Sequence, residues 1–484
     1  FSQPEIAGAM VVGQSAMPQP SAVPLRCGLL ALVVAVATCL AIRLQHIGDE
    51  GCGEPGGYHP GPAEDRLREY CHPPVGLGAE GRPPHAGLEL RAVVLTIRHG
   101  DRSAIQNVPG SLPHSGGGFS CEAGDMQAVW AGLPQHYRVL GTNTGKPIWR
   151  PFGSPAKECG PGELTPRGLR QELALGSHLQ EAYRPFVSDL RSSHGTLYVR
   201  STKYSRTISS VAAVLTSLLP EQLWPGKIDV EVNEDEGAEI MHGAGTRKRQ
   251  GGRGAGDGNV GQASKEGACP AAVRHGLRQF FALKRPEAEY AHLRALYGDV
   301  VENRSITDFA DGMFAASCHG LPLPCGPGGC ADRALALSIA HRADELYCTR
   351  FAGAEGGARA TELSFYPFIR EMLTYLEAAA VAKAPPALAV FSGHDTVIAP
   401  VLSALGAYHG QLCRWPPYGS RIALELYRAP GRTVSHFVRV LYNGEALVGM
   451  RGCGTKELCP LEDFANGVAS LLGGAADWDA ACAV

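Results

Sequence analysis

Three apolar runs, each ending abruptly at a polar turn, organise most of the chain. The first, Leu90 to Ile97, is nearly all apolar through Val93, Val94, Leu95 and Ile97, the pattern of a strand covered on both faces. It stops at Arg98-His99-Gly100-Asp101-Arg102. The second, Thr196 to Val199, stops at Arg200-Ser201-Thr202-Lys203-Tyr204-Ser205-Arg206-Thr207, after which Val211, Val214, Leu215 and Leu218 recur at helical spacing. The third, Ala387 to Phe391, stops at Ser392-Gly393-His394-Asp395-Thr396; Val397, Val401 and Leu405 then repeat every four residues until Gly406. Strands alternating with helices predict an α/β fold with a central, mostly parallel sheet flanked by helices. Such sheets gather their ligands at the carboxyl ends of the strands.

Between these runs the pattern changes character. Residues 116 to 162 are polar and turn-rich and read as a long loop over the site, held by Cys121 and Cys159. Thr165 is a natural N-cap with Pro166 at the first helical position, ahead of Leu169, Leu173, Leu175 and Leu179. From about 271 to 384 the periodicity is helical (Leu277, Phe280, Phe281 and Leu283; Leu293, Leu296 and Tyr297; Phe365 to Leu376), predicting a helical lobe inserted at roughly 220–385. Tyr418 to Tyr427 and His436 to Tyr442 alternate as a closing hairpin or as adjacent strands, with Cys453 and Cys459 stapling the next segment.

The amino-terminal region divides at 24, 43 and 87. Residues 1–24 are an aperiodic Pro/Ala/Gln/Ser tail, and 44–87 form a Gly/Pro-rich stem before the main domain at 88–484. Cys27 to Ile42 holds no charge and lies between Arg26 and Arg43. It reads as a signal anchor over 25–43, with a signal peptide cleaved near Ala35-Val36-Ala37 as the competing reading. Gly243 to Gly267, with Arg247, Lys248, Arg249 and Arg253, reads as a flexible surface loop or a contact for sulfated glycans.

Charge narrows the function. With 44 basic and 47 acidic residues the chain has no general affinity for nucleic acid. Fifteen cysteines without one Cys-x-x-Cys pair favour disulfides in an oxidising lumen over structural zinc, although Cys318, Cys325 and Cys330 cluster near His319. Asn303-Arg304-Ser305 is a glycosylation sequon consistent with that lumen.

Two guanidiniums flanking a histidine at a strand end suit a multiply charged oxyanion, and that histidine is a candidate nucleophile. Arg98-His99-Gly100-Asp101-Arg102 resembles the signature of the histidine acid phosphatases, whose histidine is phosphorylated transiently; Ala104 stands where the family usually has proline. The segment from Leu164 through Gln171 resembles the family's Leu-Thr-x-x-Gly-x-x-Gln helix start, and is assigned to packing. Residues Arg200 to Thr207 resemble its Arg-x-Thr-x-x-x-Arg-Thr element. The resemblance implies His99 as nucleophile, Asp395 as proton donor, and Arg98, Arg102, Arg200 and His394 as phosphate ligands. Arg206 stands behind them, and no metal or cofactor is expected.

The finer resemblance includes Cys318-His319, Pro324-Cys325, Arg421 to Leu426, Val438 to Gly444 and Cys459-Pro460-Leu461-Glu462. It is to a Golgi member of that family which removes phosphate from the xylose joining glycosaminoglycans to core proteins. That likeness implies a type II Golgi membrane enzyme with a luminal catalytic domain. Its substrate would be phosphorylated xylose of proteoglycan linkage glycans, and its partners glycosyltransferases. The rivals are a broad acid or inositol-polyphosphate phosphatase of the secretory pathway, and a catalytically idle glycan-binding paralogue.

Overall fold

Strand β1 (Glu89–Arg98) is buried from Ala92 to Arg98 because helices cover both of its faces. The computed structural model describes residues 62–72 and 78–483, apart from 113–117, 123, 149–150, 154–156, 221–223, 225, 236–238, 244–268, 382–383 and 432–434. Residues 1–61, and with them the tail, the anchor at 25–43 and the first part of the stem, lie outside the described residues, as does the basic loop from 244 onward. Among the described residues no helix is long and apolar enough to cross a membrane.

The strands after β1 are β2 (Tyr137–Gly141), β3 (Thr196–Ser201), β4 (Ile228–Val232), the small hairpin β5–β6 (Cys325–Gly326 and Gly329–Cys330), and β7 (Ala387–Gly393). They are followed by β8 (Arg421–Ala429), β9 (Ser435–Tyr442), β10 (Glu445–Ala446) and β11 (Cys459–Pro460). The main sheet runs β10-β9-β8-β1-β7-β3-β4-β2, with β11 on β9. From β1 to β2 neighbours are parallel, whereas β8, β9, β10 and β11 pair antiparallel. The sheet is therefore mixed rather than mostly parallel. The closing hairpin adds to the free edge of β1 instead of standing apart.

Side chains of β1 alternate between two cores, as a pleated strand requires. Ala92 and Val94 join Phe391, Leu424 and the helices Pro62–Cys71, Ile306–Cys318, Arg333–Ala352 and Gly357–Ala380. Val93, Leu95 and Ile97 join Val390 and the helices Pro166–Ala182 and Ser205–Leu218. Among the described residues, five α-helices between β4 and β7 form the inserted lobe; it starts after Val232, not near 220, because Ile228–Val232 is a strand with alternating burial.

Three other boundaries move. Residues 62–72 and 78–87 are not stem: Leu67 and Tyr70 are buried, and Glu80 is buried because it pairs with Arg421. The stretch 116–162 is not all loop, since Trp130, Leu133, Tyr137 and Val139 bury helix Gln127–His136 and edge strand β2. Helix Pro270–Ala282 turns Val273, Leu277 and Phe280 outward; Ala271, Ala272 and the Cys269–Cys482 bridge face its core instead. All twelve described cysteines pair, in Cys71–Cys318, Cys121–Cys159, Cys269–Cys482, Cys325–Cys330, Cys348–Cys413 and Cys453–Cys459. Cys318, Cys325 and Cys330 are thereby engaged in disulfides.

Candidate active site

Sheet register puts the three strand ends in one row. Arg98 of β1 faces Gly393 of β7, and Ser392 of β7 faces Ser201 of β3, so His99, His394 and Thr202 open adjacent turns. A Cβ on Gly100 would meet the Gly168 backbone at 2.5 Å, so glycine there lets helix Pro166–Ala182 press its first turn on the loop. Thr165 accepts from the Gly168 amide (3.1 Å) and donates to Asp101 Oδ1 (2.5 Å), while Gln171 Oε1 accepts from the Asp101 amide (2.8 Å). The segment assigned to packing thus also holds the loop. His319 adds a contact from Nε2 to Asp101 Oδ1 (2.6 Å), next to the Cys71–Cys318 bridge.

His99 is buried, with Nδ1 2.8 Å from the Gly100 carbonyl. A carbonyl only accepts, so Nδ1 carries the proton and Nε2 keeps its lone pair. Burial, then the guanidiniums of Arg206, Arg98 and Arg102, push its pKa well below the usual imidazole range. The ring is neutral and nucleophilic.

Arg98 lies against the neighbouring rings of Tyr418 (4.4 Å) and Tyr70 (5.1 Å). It pairs with Asp395 Oδ2 (2.8 Å), and donates to the Tyr70 hydroxyl (3.0 Å) and to the Pro416 carbonyl. Arg102 pairs with Asp311 Oδ1 (2.6 Å), whose other oxygen accepts from the Ile105 amide (2.8 Å). His394 contacts Thr202 Oγ1 through Nε2 (3.0 Å) and opens helix Asp395–Ala404, whose amino end favours anions. Asp395 also accepts from the Tyr347 hydroxyl (2.9 Å). Burial raises its pKa, but Arg98, Arg102 and Tyr347 outweigh that and hold the carboxyl below its ordinary value.

The structure reverses the expected roles of the two arginines on the second motif. Arg200 is not at the phosphate site: Nη2 pairs with Glu239 (3.1 Å) and Nη1 with Glu371 (3.0 Å). Arg206 is the arginine beside His394, packing on the Tyr204 ring (4.4 Å) with Nη2 3.5 Å from His394 Nδ1. Its pKa is pushed down to about 10 by burial and then by Arg102. The reason is geometric: Arg200 lies within strand β3, one residue before its end, and points toward Glu371 of helix Gly357–Ala380, whereas Arg206 sits in the first turn of helix Ser205–Leu218. The Nε atoms of Arg98, Arg102 and Arg206 are buried without a hydrogen-bond partner, but so is that of Arg200, so it is the Nη partners and not Nε that separate the two arginines. Asn303 is exposed, and Ser305 of its sequon caps helix Ile306–Cys318.

A profile described as the histidine phosphatase superfamily (branch 2) matches residues 89–247 and 342–443, which include all three strand ends. The chain belongs to that superfamily. Among its relatives, 2-phosphoxylose phosphatase 1 of Xenopus tropicalis is 26% identical over 84% of this chain and 80% of its own. Counting factor 60 of Dictyostelium discoideum is 26% identical over 80% and 87%. Lysophosphatidic acid phosphatase type 6 of Bos taurus is 25% identical over 78% and 82%. The histidine phosphatase described here is a phosphoric monoester hydrolase. Sequence reasoning missed Arg206 as a site residue and Tyr70, Tyr418, Asp311, Thr202 and Tyr347 altogether. Only Arg206 and Thr202 carried a signal, their places in the motif.

Proposed function

We propose that this phosphatase removes the 2-phosphate from xylose in the glycosaminoglycan–protein linkage region, through a phosphohistidine at His99, and so promotes chain synthesis. The observation that carries the mechanism is a neutral His99 with Nε2 unprotonated, surrounded by three guanidiniums of which Arg206 has no carboxylate partner among the described residues. Support for the sugar comes from relatives named 2-phosphoxylose phosphatase 1 in frog, zebrafish and human. The six disulfides agree with an oxidising lumen. Attachment to the Golgi membrane through residues 25–43, a glycan on Asn303 and glycosyltransferases as neighbours complete the reading.

Arg98, Arg102, Arg206 and His394 hold the phosphoryl oxygens, and His99 Nε2 attacks phosphorus as the ester P–O bond breaks. Asp395 is ionised in the empty site. The incoming phosphate competes for Arg98 and adds negative charge, which raises the carboxyl's pKa until it takes up a proton. It passes that proton to the leaving alcohol, then accepts one from the water that cleaves the P–N bond. The test compares turnover of a 2-phosphoxylosyl linkage glycopeptide with an aryl phosphate, lysophosphatidic acid and an inositol phosphate, together with acid-quench trapping of label on His99. Preference for the glycopeptide with label on residue 99 is expected. Preference for the lipid or inositol phosphate overturns the substrate, and label elsewhere overturns the mechanism.

A further inference from the structure

The arginine that left the phosphate site has another task. Glu239, buried by its pairing with Arg200 Nη2 (3.1 Å), uses the same carboxylate to accept from the Met241 amide (3.0 Å). It thereby caps a single 3-10 turn, Ile240–His242, which Gly243 ends at φ +83°. Met241 is sunk in the core, and Arg200 Nη1 ties the assembly to Glu371 of helix Gly357–Ala380. The residue this strut presents is His242. Its ring centroid lies 5.6 Å from His394 and 6.1 Å from Tyr204, and Tyr204 lies edge-on to His394 at 5.1 Å.

Depth orders these rings. His99 and His394 are buried, while Tyr204, Arg206 and His242 are each partly exposed, His242 with its Nε2 atom turned inward and buried. His394 lies 5.4 Å from His99 on one side and 5.6 Å from His242 on the other. A phosphate held by His99, His394 and Arg206 leaves its alcohol to pass the outer pair, Tyr204 and His242. An aromatic face covers the C–H surface of a sugar ring, and phenol and imidazole edges offer hydrogen bonds to its hydroxyls. An alkyl or plain aryl alcohol uses only the first of these.

We propose that His242 and Tyr204 form the leaving-group lip of the site, selecting phosphomonoesters of hydroxylated rings, with Arg200 and Glu239 as positioning residues for His242. The inference deepens the phosphoxylose reading and rests on it only for which sugar is natural. The lip itself is tested with any sugar phosphate. The measurement is the ratio of kcat/KM for a sugar phosphate (2-phosphoxyloside and, separately, ribose 5-phosphate) to that for 4-nitrophenyl phosphate, on the full chain.

His242→Ala is expected to lower the ratio roughly tenfold, mainly through KM for the sugar phosphate. His242→Phe keeps the ring without its donors and lowers the ratio similarly; His242→Asn recovers part of it. Glu239→Gln shifts the ratio in the same direction, because it frees the turn. An unchanged ratio in His242→Ala, or equal loss on both substrates, overturns the lip. Should the alanine variant not fold, the Phe and Asn variants decide by the same ratio. A wild-type enzyme that ignores the xyloside yet favours ribose 5-phosphate sinks the xylose reading and leaves the lip standing; indifference to both sugars sinks the lip.

Discussion

Two clusters of buried arginine sit on the same sheet and are built on opposite terms. On β8 and β9, Arg421 pairs with Glu80 (2.6 Å) and Arg439 with Glu425 (2.6 Å). The second carboxylate is further held by the hydroxyls of Tyr183 (2.9 Å) and Tyr427 (2.8 Å) and by the Gly81 amide (2.8 Å). Each of these arginines has a carboxylate, and Arg439 reaches a second one on Glu457 (3.3 Å). Around His99, by contrast, Arg98 and Arg102 each have a carboxylate, while Arg206 has none among the described residues and keeps a lowered pKa. A largely desolvated charge without a carboxylate is costly, and an anionic occupant would supply the missing charge. Balance marks the first cluster as structural and imbalance marks the second as a site.

The largest expected effect tests the second cluster at its nucleophile. His99→Ala should lower phosphomonoester turnover by at least about a thousandfold and abolish acid-labile phosphoprotein, with the melting temperature retained. Residual activity near wild type would remove His99 from the chemistry. Next comes the arginine pair. Arg206→Ala should cost about 10²–10³ in kcat/KM and weaken competitive inhibition by inorganic phosphate, without lowering the melting temperature. Arg200→Met should do the reverse: about 3–5 kcal/mol of stability is lost because Glu239 and Glu371 are stranded, while inhibition by phosphate is kept. If Arg200→Met instead loses phosphate binding at full stability, the assignment of the two arginines inverts. Arg439→Met, in the balanced cluster, should cost about 3 kcal/mol in denaturant unfolding and leave kcat intact in the folded fraction.

The Arg200 and Arg206 exchange shows what was legible in the chain. Strand ends were visible because apolar runs stop abruptly, and a parallel order then has to bring such ends together. His99, His394 and Asp395 follow directly, since each stands immediately after a strand. Arg200 and Arg206 share one polar turn, and which of them faces the phosphate depends on where the strand stops and the helix begins, a matter of one turn of chain. Tyr70 was hidden for a different reason. It lies in a stretch whose Gly and Pro content outweighs the short apolar set of Leu67, Tyr70 and Cys71, and its role arises only through a contact with Arg98 some thirty residues on. Strand β4 (Ile228–Val232) and strand β2 (Tyr137–Gly141) were lost because five alternating residues between polar turns carry little periodic signal.

The smallest effect concerns a group caught between the two clusters. Glu172, on helix Pro166–Ala182, is fully buried, and neither carboxyl oxygen has a hydrogen-bond partner. Burial drives its pKa well above the ordinary 4.5; the fields of Arg421, from the balanced cluster, and Arg98, from the site, oppose that only in part. A carboxyl whose pKa rises on folding takes up a proton as the chain folds. The stability that proton uptake carries is fully present below the unfolded value of about 4.5, and is lost as pH climbs toward the folded value. Over that window the loss is about 1.4 kcal/mol per pH unit for this group alone. Glu172→Gln, which cannot ionise, should therefore melt with wild type near pH 4.5 and progressively above it toward neutral pH, with kcat unchanged. Parallel melting curves across that range would mean that Glu172 is ionised in the folded chain, and that the positive excess at His99 is smaller than three arginines against two carboxylates implies.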